Sequence, residues 1–302
     1  MMEHISAEKN SVSNDEMATT TPEFYRKRHV AYFKFNYGVL PHRLKDLDVS
    51  RCMLLYFALS GLDVLGAVEL LPEDDRRQMI DWIYSLQVVD IDAGDGRGRS
   101  RRGGFRGCPS FAPAGHDYDA GHITMTYTAL CSLLILGNDL DRVNRRSVLE
   151  GVKALQLPDG SFMNTLNGGE NDLRFMYCAC AVASLLRDRS CIDREKAIEF
   201  ILSCVNYDGG MGTRPGGESH GGAVYCGVAS LHLLGAELEP SLKEALQMWC
   251  MARTFSEGTG GFQGRPNKDF VDEFGGQQNY QLKKVDPALN VSVDALKRVL
   301  EL

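Results

Sequence analysis

No run of about 18 apolar residues occurs in this 302-residue chain, so no segment reads as a membrane-spanning helix. The opening MMEHISAEKNSVSNDEMATTT lacks the apolar core of a secretory signal and the Arg-rich pattern of an organellar one. It reads as a disordered polar lead-in over 1–21. Positive charge is not in excess: net charge is −7, which argues against a broad nucleic-acid surface. The nine cysteines form no CxxC pair. Their odd number and their places inside apolar helical patterns fit reduced thiols in the cytoplasm, not a disulfide scaffold or zinc finger. Cys250 is the last cysteine and His232 the last histidine, so 251–302 offer neither thiolate nor imidazole to a metal. No GxxxxGK[ST] loop, paired catalytic carboxylates or Ser/His/Asp set is legible, and no catalytic residue is assigned.

An internal repeat is present. The Gly-rich turns LQLPDGSF (155–162), VNYDGGMG (205–212) and SEGTGGFQG (256–264) match at Phe162, Met211 and Phe262, 49 and 51 residues apart. GRSRRGGFRG (98–107) resembles a longer first copy. After the first three turns come small-residue apolar segments, 124–137, 174–186 and 222–235, aligned at Tyr127, Tyr177 and Tyr225. Amphipathic stretches at 76–87, 144–156, 194–205 and 241–254 carry apolar residues at helical spacing. The unit is an outer amphipathic helix, a Gly-rich turn and an inner small-residue helix, about 50 residues in all. The fold class is all-α. Such units stack as a solenoid or close into a ring; an ordinary helical bundle fits the equal spacing less well.

FALSGLDVLG (57–66), HDYDAGHITMTYTALCSLLILGNDLDRVN (116–144), ENDLRFMYCA (170–179), ESHGGAVYCGVASLHLLG (218–235), GRPNK (264–268) and PALNVS (287–292) resemble the β subunits of the protein geranylgeranyltransferase type I family. The resemblance spans residues 24–268 and a short tail. It implies an α-α toroid, a barrel of helix pairs around an apolar hollow, here short of one or two repeats. It implies a heterodimer with an α subunit. The reaction it implies moves a C20 isoprenoid from geranylgeranyl diphosphate to the Cys of a C-terminal CaaX motif, on substrates such as small GTPases. Terpene cyclases also stack helix pairs, but no DxDD motif is present.

An inorganic diphosphate leaves in that reaction, and stabilising it takes convergent donors and cations. His220, Arg265 and Lys268 match the family's diphosphate-binding positions, with Gly221 and Gly222 allowing close approach to backbone. Read alone, His220 is a helix cap or packed histidine, and RPNK a solvated basic turn. Arg174 matches a position near the peptide carboxylate; read alone it is an i,i+4 pair or a first-turn residue. An isoprenoid pocket is apolar and aromatic. Phe57, Tyr127, Phe175 and Tyr177 are candidates for it, and each equally suits an ordinary core. Met53 stands where the family sets chain length: a smaller residue in type I, a Trp in farnesyltransferases. The resemblance also implies zinc, held by an Asp, a Cys and a later His. Asp272 stands at the family's V-D, but Phe274 occupies the Cys position. The expected organisation is a lead-in over 1–21, toroid repeats over 22–268, and a divergent junction with a short helical tail over 269–302. Two functional readings follow: a β subunit of a geranylgeranyltransferase, or an isoform that binds the α subunit or prenyl diphosphate without transfer. GDGRGRSRRGGFRG (94–107) reads as a flexible inserted loop.

Overall fold

The structure is a computed structural model that describes residues 24–38, 42–89, 102–109, 116, 118–254, 262–266, 271–272 and 282–300. The lead-in 1–21, most of the 94–107 loop and Lys268 lie outside the described residues. Helices α1 (Arg26–Tyr37), α3 (Glu73–Ser85), α5 (Arg145–Leu155), α7 (Arg194–Ser203) and α9 (Pro240–Met251) alternate with α2 (Arg51–Val64), α4 (Ile123–Ile135), α6 (Leu173–Leu185) and α8 (Gly221–Leu233). The short α10 (Val293–Leu300) ends the fold.

The two kinds of helix differ as their sequences require. The outer α5 buries Ser147, Val148, Gly151, Val152 and Leu155, a single stripe at helical spacing, and α7 buries Ala197, Phe200 and Ile201. The inner α4 buries 12 of its 13 residues and α6 buries 11 of 13. Helices with no polar face must be covered all round. Here α2, α4, α6 and α8 each pack on the next, in sequence order.

The Gly-rich turns lock unit to unit. In each, the residue that ends the outer helix bridges the marker residue of the turn: Gln156 to Phe162, Val205 to Met211 and Thr254 to Phe262. Gln87 and Phe105 pair the same way in the antiparallel β1 (Gln87–Val88) and β2 (Gly104–Phe105), so the described residues 102–107 supply the matching part of a first copy. The first three turns press on the following outer helix, Gly103 against Ser147 of α5, Gly160 against Lys196 of α7 and Gly209 against Ala245 of α9. Gly160 has φ +87°, and a Cβ there would lie 2.1 Å from the carbonyl oxygen of Lys196 on α7.

Arginines close the other end of the inner helices. Arg26 Nε donates to Leu65 O (3.0 Å) past α2, Arg145 to Leu186 O (3.3 Å) past α6, and Arg194 Nε to Leu234 O (2.9 Å) past α8. A cation suits the negative end of a helix. The outer helix α3 starts with acids, and for α4 the arginine comes from the tail: Arg298 of α10 donates to Leu134 O at 2.7 Å.

The tail runs through a hairpin, β5 (Val285–Asp286) and β6 (Val291–Ser292), against α2 and α4. Asp286 Oδ1 accepts the N–H groups of Ala288 and Leu289, which shapes the PALN turn. Two carbonyls of that turn accept tyrosine hydroxyls: Tyr56 donates to Asn290 O (2.9 Å) and Tyr127 to Leu289 O (2.8 Å). Ahead of the hairpin, Lys283 Nζ meets the buried Asp63 at 2.7 Å. Removing the ammonium strands a buried carboxylate. Lys283→Met is therefore expected to cost about 3 kcal/mol, read as a lower urea midpoint, and the Asp63→Asn/Lys283→Met pair to recover most of it. Equal loss in single and double variants contradicts the pairing.

Candidate functional site: the rim at the start of the inner helices

Three inner helices begin with the same device. His122 Nδ1 accepts the N–H of Thr124 (3.2 Å), Asp172 Oδ1 that of Arg174 (2.9 Å), and His220 Nδ1 that of Gly222 (2.8 Å). These caps recur every 50 and 48 residues. The first helical N–H then donates to the next unit's turn: Ile123 to Asn164 O (2.9 Å), Leu173 to Thr213 O (3.0 Å) and Gly221 to Gly264 O (2.8 Å). The inner-helix N-termini thus share one rim.

The last of these links brings the ESHGG and GRP segments together, although more than 40 residues separate them. His220 caps α8. Because its Nδ1 accepts a hydrogen bond, the neutral ring carries its proton on Nε2. That nitrogen faces Gly264: a Cβ there would lie 3.5 Å from it. Arg265 follows, its Nη1 held by Glu218 Oε2 at 3.0 Å, while its buried Nε meets no partner among the described residues. Gly222 has a specific reason to be glycine, since a Cβ would stand 3.1 Å from the His220 ring. Arg174, at the head of α6, is gripped by its own cap Asp172 (Nη2 to Oδ2, 2.6 Å) and by Glu170 four residues back (2.7 Å). Its pKa is raised further by that hydrogen bonding. The i,i+4 pair, the first-turn place and the cap read from the residues alone are therefore all present in the structure.

From Gly221 a groove of about 1060 Å³ runs along α8, between α9 and the tail. Val224, Tyr225, Val228, Leu246, Phe262 and Ala288 line it, with His232 at its far end. The eleven helical steps from Gly221 to His232 span about 17 Å. Among the described residues no further inner helix lies beside α8, which buries only 7 of its 13 residues.

The expected isoprenoid residues do not line this groove. Tyr127 and Tyr177 are buried in a hydroxyl ladder across the inner helices: Tyr225 donates to Tyr177 (3.1 Å), and Tyr127 and Tyr177 bond at 3.1 Å. Tyr127 spends its proton on Leu289 O, so Tyr177 must be the donor to it. The PALN turn occupies the space in front of Tyr127. Phe175 stacks edge-on with His122 at the rim. Met53 packs against the core, and Phe57, 54% exposed, lines a separate small pocket with Tyr32 and Phe33 of α1. The residue that sequence reasoning passed over is Tyr225, 38% exposed in the groove. Its place in the tyrosine repeat was the available signal.

A scan of family models matches residues 24–272 to the prenyltransferase alpha-alpha toroid domain. The chain belongs to the prenyltransferase α-α toroid family. Among curated relatives, the geranylgeranyl transferase type-1 subunit beta of Arabidopsis thaliana is 36% identical over 83% of this chain and 69% of its own length. That of Dictyostelium discoideum is 33% identical over 79% and 70%. The protein farnesyltransferase subunit beta of Arabidopsis thaliana is 31% identical over 82% and 46%. A solved structure of the same fold, Candida albicans protein geranylgeranyltransferase-I complexed with GGPP, superposes with a TM-score of 0.77 at 22% identity, covering 93% of this chain and 99% of that one. Within that family the chain is thus similar to the type-1 geranylgeranyl transferase β subunits. No helix among the described residues is long and apolar enough to cross a membrane.

The family's zinc does not fit the donors present. No three His, Cys, Asp or Glu side chains among the described residues come together as a metal site. Asp272 lies in β4 (Val271–Asp272), its backbone opposite Phe262.

His122 gives the rim a pH dependence. Burial lowers its pKa from 6.5 to about 4, and its neutral Nδ1 is needed to cap α4. The unfolded chain takes up this proton below pH 6.5 while the folded chain resists until about pH 4, so folding stability falls across that window. Its full size is about 3 kcal/mol. His122→Asn keeps a cap acceptor without the titration. Urea midpoints measured from pH 7 to pH 4 are expected to fall more steeply for the native chain; parallel curves refute the assignment.

Proposed function

We propose that this chain, paired with an α subunit as a heterodimer, binds geranylgeranyl diphosphate and transfers its C20 chain to the Cys of C-terminal CaaX motifs, with small GTPases among the substrates. The work is cytoplasmic in this reading. The observation that carries it is the continuity of two unlike surfaces at Gly221. A rim of hydrogen-bond donors, the neutral His220 and the guanidinium of Arg265, meets the mouth of the apolar groove along α8. An amphiphile with a charged head and a long greasy tail matches that junction, and few other metabolite shapes do.

Each residue has a part. Arg265 offers two parallel N–H bonds to a diphosphate once it leaves Glu218, and its buried Nε supplies one of them. His220 turns Nε2–H toward the same turn. The start of α8 adds the positive end of a helix dipole. As the C–O bond to the isoprenoid breaks, charge grows on the departing oxygens, and donors fixed at the rim stabilise that charge most. Lys268 belongs to this group by its family position, and Arg174 takes the peptide carboxylate after exchanging it for Glu170. The groove holds the isoprenoid with Tyr225, Val228 and Phe262 in contact. Met53, Phe57, Tyr127 and Tyr177 act as packing, not lining, in this arrangement.

A second reading, a β chain that holds the α subunit or the prenyl diphosphate without transfer, is favoured by the absence of Cys and His from 251–302. Both readings share the rim. Arg265→Ala is expected to weaken a fluorescent geranylgeranyl diphosphate analogue about 10- to 100-fold, the worth of a charged hydrogen bond. Glu218→Gln, which releases the arginine, is expected to leave binding unchanged or tighter. Native affinity in Arg265→Ala refutes the site.

A further inference from the structure

We propose that this chain takes up an isoprenyl diphosphate while holding no thiolate-ligated zinc, and so works as a prenyl-diphosphate-binding β chain that leaves the acceptor thiol unactivated. The diphosphate half rests on the function proposed above. The metal half rests on the donors the chain possesses.

Zinc in proteins is held by Cys, His and carboxylates, usually four ligands in structural sites and three plus water in catalytic ones. The soft donors can be followed nearly completely. All nine cysteines lie among the described residues, and of seven histidines only His4 lies outside them. Seven cysteines are buried, packed within the helices or the turns that join them. Burial pushes the thiols of Cys52, Cys178 and Cys180 up to about 12 and those of Cys191 and Cys204 up to about 11, far from thiolate at neutral pH. His122 and His220 spend Nδ1 on capping their helices.

What remains of the soft donors near the groove is His232 and Cys250, with Asp286 as the carboxylate across from them. They line one cavity yet do not converge on a point. Asp286 has an occupation of its own: Oδ1 accepts two backbone N–H bonds that shape the PALN turn carrying the tail. The thiol of half-buried Cys250 is raised by burial. The groove is lined mainly by apolar side chains, and the carboxylates at its rim are already paired with arginines, Glu218 with Arg265 and Asp172 and Glu170 with Arg174, so none stands uncommitted for a metal ion.

The consequence for an acceptor peptide is direct. A cysteine thiol with a pKa near 8.5 is about 3% thiolate at pH 7 unless something stabilises the anion. Any transfer by this chain then follows free thiolate, rising about tenfold per pH unit up to pH 8, and is indifferent to chelators.

The test uses the full chain, alone and co-expressed with an α subunit. Each preparation is incubated with zinc, desalted at neutral pH, and assayed for metal by mass spectrometry and for geranylgeranyl diphosphate by fluorescence. The expected result is tight uptake of the diphosphate by the native chain with zinc far below one per chain, and zinc equally low in Cys250→Ser and His232→Ala. One retained zinc per chain overturns the proposal, and its loss in Cys250→Ser names the groove as the site. Zinc-free chain that also ignores the diphosphate refutes the function proposed above and leaves the donor argument standing. Chelator-sensitive transfer to a CaaX peptide overturns the proposal as well.

Discussion

Four inner helices without a polar face set the terms for the rest of this protein. A helix such as ITMTYTALCSLLI or LRFMYCACAVASL has nowhere to expose a side, so its stability depends on neighbours covering it completely. Each helix that covers the last one is equally naked, and the problem passes along the chain. Small side chains make the solution possible by letting the inner helices approach closely. The outer amphipathic helices end the problem radially, since each shows water its other face. Stability in such a stack is a sum of nearest-neighbour interfaces.

The stack also sorts charge. With the N-termini at one rim and the C-termini at the other, the N–H groups of one end and the carbonyls of the other are gathered on opposite faces. Arginines answer the carbonyl end. The N–H end is answered by two histidines and an aspartate; the neutral imidazoles cap α4 and α8 without adding negative charge, whereas Asp172 brings a carboxylate to the start of α6. The rim arginines are neutralised locally: Arg265 by Glu218, Arg174 by Asp172 and Glu170. An anion that binds either arginine competes with a carboxylate already there.

Where the series of inner helices stops, the cost reappears. The outer faces of α4 and α6 are covered, but α8 leaves a greasy flank along the groove. The tail relieves part of this. Its PALN turn accepts tyrosine hydroxyls from α2 and α4, and its arginine closes the end of α4 that α3 leaves bare. The groove that remains is an exposed apolar surface of the kind that invites a ligand or a partner.

Sequence alone determined the repeat. Turn markers at Phe162, Met211 and Phe262, tyrosines at 127, 177 and 225, and the alternation of amphipathic and small-residue segments are periodic features, and local periodicity survives in one dimension. The all-α toroid class, the rim residues His220 and Arg265, and the shortage of soft metal donors after Cys250 followed from it and from the resemblance. Only the tertiary structure decided which face of each inner helix meets the hollow. Tyr127 and Tyr225 hold equivalent repeat positions, yet one is sealed under the tail and the other lines the groove, because the difference lies in what segment 285–292 covers. Phe57 and Tyr56 are neighbours in sequence, and about 100° of helix rotation sends one to a pocket beside α1 and the other to the tail. Contacts between segments more than 160 residues apart leave no period to read, so the sequence is silent on them.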